Sequence, residues 1–99
     1  MRILARGALW EFVESLAAQE DQAAAKAALD AWLNEVSKAS WAGLADLRKH
    51  YATASVINAE RITFNIEGNH HRLVVAVDFE KAIVWISWIG SRSAYDQIE

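Results

Sequence analysis

Gly68-Asn69 constrains this chain more than any other pair of residues. A glycine-first pair between two β-rich runs predicts a two-residue hairpin turn of type II′, because glycine accepts the positive φ needed at the first central position. Counting outward from the turn fixes a register. Glu67 falls opposite His70, Ile66 opposite His71, Asn65 opposite Arg72, Phe64 opposite Leu73, Thr63 opposite Val74 and Ile62 opposite Val75. Side chains alternate along a strand, so two faces separate. Ile62, Phe64, Ile66, Leu73, Val75 and Val77 share an apolar face, with His71 expected to be half-buried at its open lip. Arg61, Thr63, Asn65, Glu67, His70 and Arg72 share the other. The first face is a core. The second carries two guanidiniums, an amide and an imidazole, which makes it the place to look for function.

The rest of the chain supplies cover for the apolar face. Met1 to Arg6 reads as a short strand, and Ala8 to Ala18 as a helix striped by Leu9, Phe12, Val13 and Leu16, with Trp10 beside the stripe. Ala17 to Asp21 is a break, with Asp21 suited to cap the next helix. That helix is alanine-rich and runs to about Lys38. Its stripe is Ala25, Ala28, Leu29, Trp32, Leu33 and Val36, and Lys26 and Asp30 form an i,i+4 pair outside it. The two helices form an antiparallel hairpin on one side of a sheet. Leu44, Leu47 and Tyr51 then suggest a short helix that exposes Arg48, Lys49 and His50, either as a solvated end or as a phosphate contact. After the β-hairpin, Asp78 to Ala82 is a turn, and Ile83 to Ile89 is apolar on both faces, as in a covered or central strand. The expected fold is α+β: an N-terminal strand and a helical hairpin packed on one face of a mainly antiparallel four-stranded sheet, in one domain spanning 1–99.

Composition narrows the function classes. With no cysteine there is no thiolate metal site and no disulfide framework, which fits a reducing cytoplasm. No run is long and apolar enough to span a membrane. The net charge of −3 is mildly unfavourable for nucleic-acid binding, but it is unevenly spread. Residues 1–47 hold four basic and seven acidic side chains, whereas 48–99 hold six of each and all three histidines. The cationic groups therefore gather in the second half.

Several chemistries lose their footing on spacing alone. His70 and His71 are adjacent and point to opposite faces, with no carboxylate at ligand spacing, so no metal site is expected. The four glycines are scattered, so no loop cradles phosphate. No serine sits in a nucleophile elbow. What remains is a face of arginines and an imidazole, with Tyr95 and Arg92 near the chain end, a set suited to a phosphodiester. Guanidiniums bind phosphate bidentately and stabilise charge developing in the transition state. His or Tyr moves protons to and from the ribose 2′-OH and the 5′ leaving oxygen. Neither a metal, a cofactor nor a protein nucleophile is needed.

Arg61-Ile-Thr-Phe-Asn-Ile-Glu-Gly-Asn-x-x-Arg-Leu-Val, with Ile89-Gly-Ser-x-x-x-Tyr-Asp further on, resembles the HigB family of toxins from bacterial toxin–antitoxin systems. The opening Met-Arg-Ile and Trp41-x-x-x-Ala-Asp-Leu-x-x-x-Tyr-x-x-Ala-Ser fit the same pattern. The resemblance implies a RelE-like fold and a cytoplasmic endoribonuclease that cleaves mRNA on the translating ribosome. It also implies inhibition by an antitoxin carrying a helix-turn-helix domain. Members commonly read Gly-Thr-His-x-x-Tyr-Asp where this chain reads Gly90-Ser91-Arg92-Ser93-Ala94-Tyr95-Asp96. Arginine, with a pKa above about 12, cannot serve as a general acid or base near neutrality. Arg92 can still hold the phosphate, and proton transfer would pass to His70, His71 or Tyr95.

The candidate catalytic residues are therefore Arg61, Arg72, Arg92, Tyr95 and His70. Arg48, Lys49, Asn65, Asn69 and His71 are candidate RNA contacts, with Asn65 and Asn69 also suited to holding the turn and strand. The five tryptophans are expected mostly in the core, with Trp41 or Trp10 available to an antitoxin-binding patch. Two other function classes stay open. One is a catalytically weak toxin that acts as antitoxin-binding partner and operon co-repressor, for which Arg92 is the motivating feature. The other is an unrelated small-molecule enzyme or binding module on the same polar face.

Overall fold

In the computed structural model, which describes residues 1–98, the elements run β1 (Arg2–Leu4), α1 (Gly7–Ser15), α2 (Gln22–Ser37), α3 (Leu44–His50), β2 (Ser55–Asn58), β3 (Arg61–Ile66), β4 (His71–Asp78), β5 (Ile83–Ser91) and α4 (Arg92–Ile98). The strands form one open sheet in the order β1-β5-β4-β3-β2, with β1 parallel to β5 and every other pairing antiparallel. The architecture is α+β and compatible with a RelE-like fold.

The β3–β4 hairpin has the register read from its turn, from Ile62↔Val75 to Ile66↔His71. Gly68 takes φ +65° while Asn69 stays negative, the φ pattern of a glycine-first turn. The expected Glu67–His70 ladder pair does not form. Glu67 adopts φ +53°, which ends the strand one residue early and turns its side chain away from the polar face. Its carboxylate lies against His71 instead, with Oε2 2.9 Å from Nε2.

A fifth strand, β2, joins the four expected. Its Ser-Val-Ile-Asn sequence is mostly exposed and has no alternation; pairing with β3 defines it, Ser55 opposite Thr63 and Val56 opposite Ile62. β5 lies between β1 and β4, as a strand apolar on both faces should. Between Val74 and Val75 the β4–β5 register shifts, with Val74 opposite Trp88 and Val75 opposite Ile86. This bulge at Ser87 puts both Trp85 and Trp88 on the outer face, although their odd spacing would separate them in a regular strand.

The inner face meets α1 and α2. Leu9, Val13, Leu29, Trp32, Leu33 and Val36 pack on Ile62, Phe64, Ile66, Leu73, Val75, Val77, Val84 and Ile86 in one continuous core. Phe64, Leu9, Leu29 and Leu73 are fully enclosed, each worth roughly 1.5–3 kcal/mol of hydrophobic burial. Lys26 and Asp30 pair at 3.0 Å, and the Lys26 ammonium stands 5.8 Å from the Trp10 ring centroid. α1 stops at Ser15, short of the expected Ala18, which itself takes φ +67°. Asp21 occupies the position before α2 but makes no side-chain cap, because its carboxylate is turned toward His71.

On the outer face α4 lies against β4 and β5 and covers part of the polar side. Of the tryptophans only Trp32 and Trp41 are buried, while Trp85 is 39% exposed, so the expectation of mostly core tryptophans is corrected. The reason is the outward face that the Ser87 bulge gives to β5.

Beside Phe64 the rings of Trp32, Tyr51, Trp41 and His50 form an edge-to-face cluster. Trp41 Nε1 donates to His50 Nδ1 at 3.3 Å. The Tyr51 hydroxyl donates to Glu35 Oε1 at 3.3 Å, and burial, then the Glu35 charge, then that hydrogen bond push its pKa well above the phenol range. The unfolded chain therefore ionises Tyr51 near pH 10 while the folded protein resists. Its contribution to stability is complete below that pH and is lost as the pH rises further. In thermal melts, wild type should lose stability more steeply above about pH 10 than Tyr51→Phe; equal slopes would remove Tyr51 as the cause.

Candidate functional site

β4 leaves the turn at His71, so His70 stays on the turn with an exposed imidazole. His71 also pairs with Ser91, which brings the junction of β5 and α4 up to the hairpin tip. There the backbone N–H of Arg92 donates to the His70 carbonyl at 3.0 Å. Asn69, His70, Ser91, Arg92 and Ser93 line a concave pocket of about 380 Å³ between these two segments.

Each residue lining the pocket has a polar or cationic side chain. Among the described residues, the side chains of His70 and Arg92 make no hydrogen bond or ion pair. Arg72 folds its guanidinium back over the turn, donating to Asn69 Oδ1 at 2.8 Å and to the Asn69 and His71 carbonyls at 3.2 Å each. Arg72 therefore fastens the turn and sets a positive charge at the rim. Asn69 is its partner, as the holding role for that residue requires. Ser91 Oγ accepts the Ala94 N–H at 3.2 Å, capping α4, and lies 3.3 Å from Ser93 Oγ. Ser91 and Ser93 are pocket residues that sequence reasoning missed. The available signal was a Gly-Ser-x-Ser run closing an apolar strand, where an N-cap serine belongs.

The remaining candidates lie elsewhere. Tyr95 sits on the outer face with its hydroxyl 3.2 Å from Thr63 Oγ1 and its ring 6.1 Å from that of Trp88. Arg61 begins β3, four residues and so about 13 Å of strand from Asn65. Asn65 is exposed at a second cleft of about 270 Å³, shared with Glu35, Tyr51 and Gly68 among others. Arg48 and Lys49 are exposed on α3 but line neither cleft. His71 is not half-buried at a lip but 4% exposed, beneath the Phe12 ring. RNA cannot reach it there, and the imidazole at the pocket is that of His70. Trp41 is likewise buried and presents nothing to an antitoxin.

A family model described as HigB_toxin, the RelE-like toxic component of a toxin–antitoxin system, matches residues 25–98. The chain belongs to the HigB toxin family. It is thus the toxic component of a toxin–antitoxin system, with an antitoxin as its partner. No curated protein matches it. The matched segment contains the whole hairpin, β5 and α4, and with them every residue of the pocket in this HigB-family chain. No helix among the described residues is long and apolar enough to cross a membrane.

Gly90 links the pocket to Tyr95. A Cβ built there would lie 2.5 Å from the Trp88 indole, which covers this position and packs on Tyr95. Gly90→Ala should displace that ring, cost about 1–3 kcal/mol in denaturant unfolding and alter the near-ultraviolet dichroism of Trp88. An unchanged spectrum and stability would show that the indole is free to swing aside.

Proposed function

We propose that this HigB-family chain is an endoribonuclease that cleaves mRNA without a metal, using the ribose 2′-OH as nucleophile, on the translating ribosome in the cytoplasm. The observation that carries the proposal is the pairing of an unengaged guanidinium, Arg92, with an exposed imidazole, His70, in one open pocket. Such a pocket admits a strand, and a phosphodiester is the ligand that uses both groups. Arg92 grips the non-bridging oxygens, and the Arg72 charge at the rim stabilises the dianionic transition state. His70 takes the proton of the 2′-OH or delivers one to the 5′ oxygen. Ser91, Ser93 and Asn69 offer hydrogen bonds to the backbone on either side.

Tyr95 and Arg61 extend the same outer face along β3, where Tyr95 stacks a base or assists proton transfer and Arg61 holds flanking phosphate. Arg48 and Lys49 supply further phosphate contacts from α3, and Asn65 one from its cleft. The chain is taken as one domain, and its antitoxin as a helix-turn-helix protein.

A second reading rests on Arg92 itself. With arginine in the place of the family histidine, the pocket lacks an imidazole at that position, which suits a weak nuclease that chiefly binds its antitoxin and co-represses the operon. Induced expression in a bacterial host separates the two, following growth and mRNA 5′ ends for wild type beside His70→Ala, Arg72→Ala and Tyr95→Phe. The nuclease reading expects arrest and new 5′ ends with wild type, relieved most by His70→Ala. A soluble, folded wild type that leaves growth and mRNA intact rejects it in favour of the co-repressor.

A further inference from the structure

On the inner face, directly behind the pocket, two side chains flanking the hairpin turn meet one from the start of α2. His71 Nε2 lies 2.9 Å from Glu67 Oε2 and 3.3 Å from Asp21 Oδ2, and the three donor atoms all lie within 4.8 Å of one another. From this arrangement we infer a binding site for a divalent transition cation, with Zn²⁺ the best chemical match, held by His71, Glu67 and Asp21.

The state of the donors points to a ligand. The His71 side chain is 5% exposed, and among the described residues neither of its ring nitrogens has a hydrogen-bond partner. Glu67 Oε2 is buried and equally without one. The distances from His71 Nε2 would suit ion pairs, yet the alignment of a hydrogen bond is missing. A nitrogen flanked by two carboxylate oxygens in this way is arranged around a shared centre. Tetrahedral Zn²⁺, with bonds of about 2.0–2.1 Å, separates its donors by about 3.3 Å, the spacing of His71 from Asp21 and somewhat wider than that from Glu67.

Local structure supports the same conclusion. Asp21 stands where an N-cap belongs, yet it caps nothing and aims its carboxylate at His71. Glu67 accepts φ +53°, a strained backbone for a side chain of its kind, and that conformation delivers its carboxylate here. The edge of the Phe12 ring closes one flank, with ring centroids 5.1 Å apart. Asp21 is 33% exposed, leaving an entry path from solvent. One imidazole and two carboxylates favour Zn²⁺ over Mg²⁺ or Ca²⁺, which prefer all-oxygen sites. Three protein donors leave a fourth position for water or an exogenous ligand. The bound ion would tie the α1–α2 turn to the hairpin tip, fixing from behind the turn that carries Asn69, His70 and Arg72. It takes no part in the cleavage step, so the site stands or falls independently of the nuclease reading.

The test is calorimetric titration of the untagged full-length protein with Zn²⁺, with thermal melts and the His71 imidazole resonances followed by NMR. The variants are Asp21→Asn and Glu67→Gln, near-isosteric changes that keep the fold, checked by circular dichroism. His50→Gln controls for surface histidine. Wild type and the control should bind one ion per chain and melt higher with it, and the His71 resonances should shift. Each carboxamide variant should bind more weakly by over about tenfold, the least that changes around a metal site usually cost. Absence of stoichiometric binding, unmoved His71 resonances, or variants that bind as tightly as wild type would overturn the site and leave an ion-paired histidine in its place.

Discussion

The β3–β4 register is the constraint on which the rest of the molecule depends. A strand has a period of two, so a slip by one residue would exchange its faces, sending Phe64, Leu73 and Val75 to solvent and Asn65 and Arg72 into the core. The glycine turn excludes that slip. Once Ile66 faces His71, α1 and α2 have an apolar surface to cover, and β5 can extend the sheet from the other edge of β4. Arg72 reinforces the turn through three hydrogen bonds. One guanidinium thereby serves both the geometry of the hairpin and the charge at the pocket.

The hairpin tip is a two-sided device. His70, on the turn, opens on the cationic pocket, while His71, the first residue of β4, is enclosed behind it, with their ring centroids 6.3 Å apart. Whatever fixes His71 also limits the motion of His70. The positive φ of Glu67 makes this possible, because it moves a carboxylate from the face of His70 to that of His71. The Glu67 carboxylate is thereby taken from the side of His70 and joins Asp21 beside His71. The net charge of −3 obscures this separation, which operates over a few ångströms.

Membership of the HigB toxin family gives that separation a biological setting. A toxin must meet both its target and an antitoxin, and the two faces of this sheet differ in charge. The outer face carries the exposed Arg92 and the exposed indole of Trp85. The helical face carries most of the acidic groups of the first half. Arginine cannot transfer protons near neutrality, so at this pocket the titratable ring is the exposed imidazole of His70.

Local rules determined a great deal from the sequence alone: the hairpin and its register, the helical stripes through Leu9, Val13, Leu29 and Trp32, the central position of β5, and the residues that carry the family resemblance. All of these follow from periodicity or from turn chemistry, which act over a few residues. Tertiary structure decided what depends on residues distant in sequence. β2 exists because β3 offers it an edge, and the parallel β1–β5 pairing joins strands some eighty residues apart. Both Trp85 and Trp88 face outward because of a bulge that no local pattern announces. Ser91 and Ser93 become pocket residues because β5 ends beside the hairpin tip. Spacing along the chain gave no expectation of a metal site, yet the fold sets two carboxylates against His71. One arrives from a helix start fifty residues away, the other through a left-handed backbone turn. Spacing along a chain reports only what one element can bring together, whereas a site assembled from several is written in their packing.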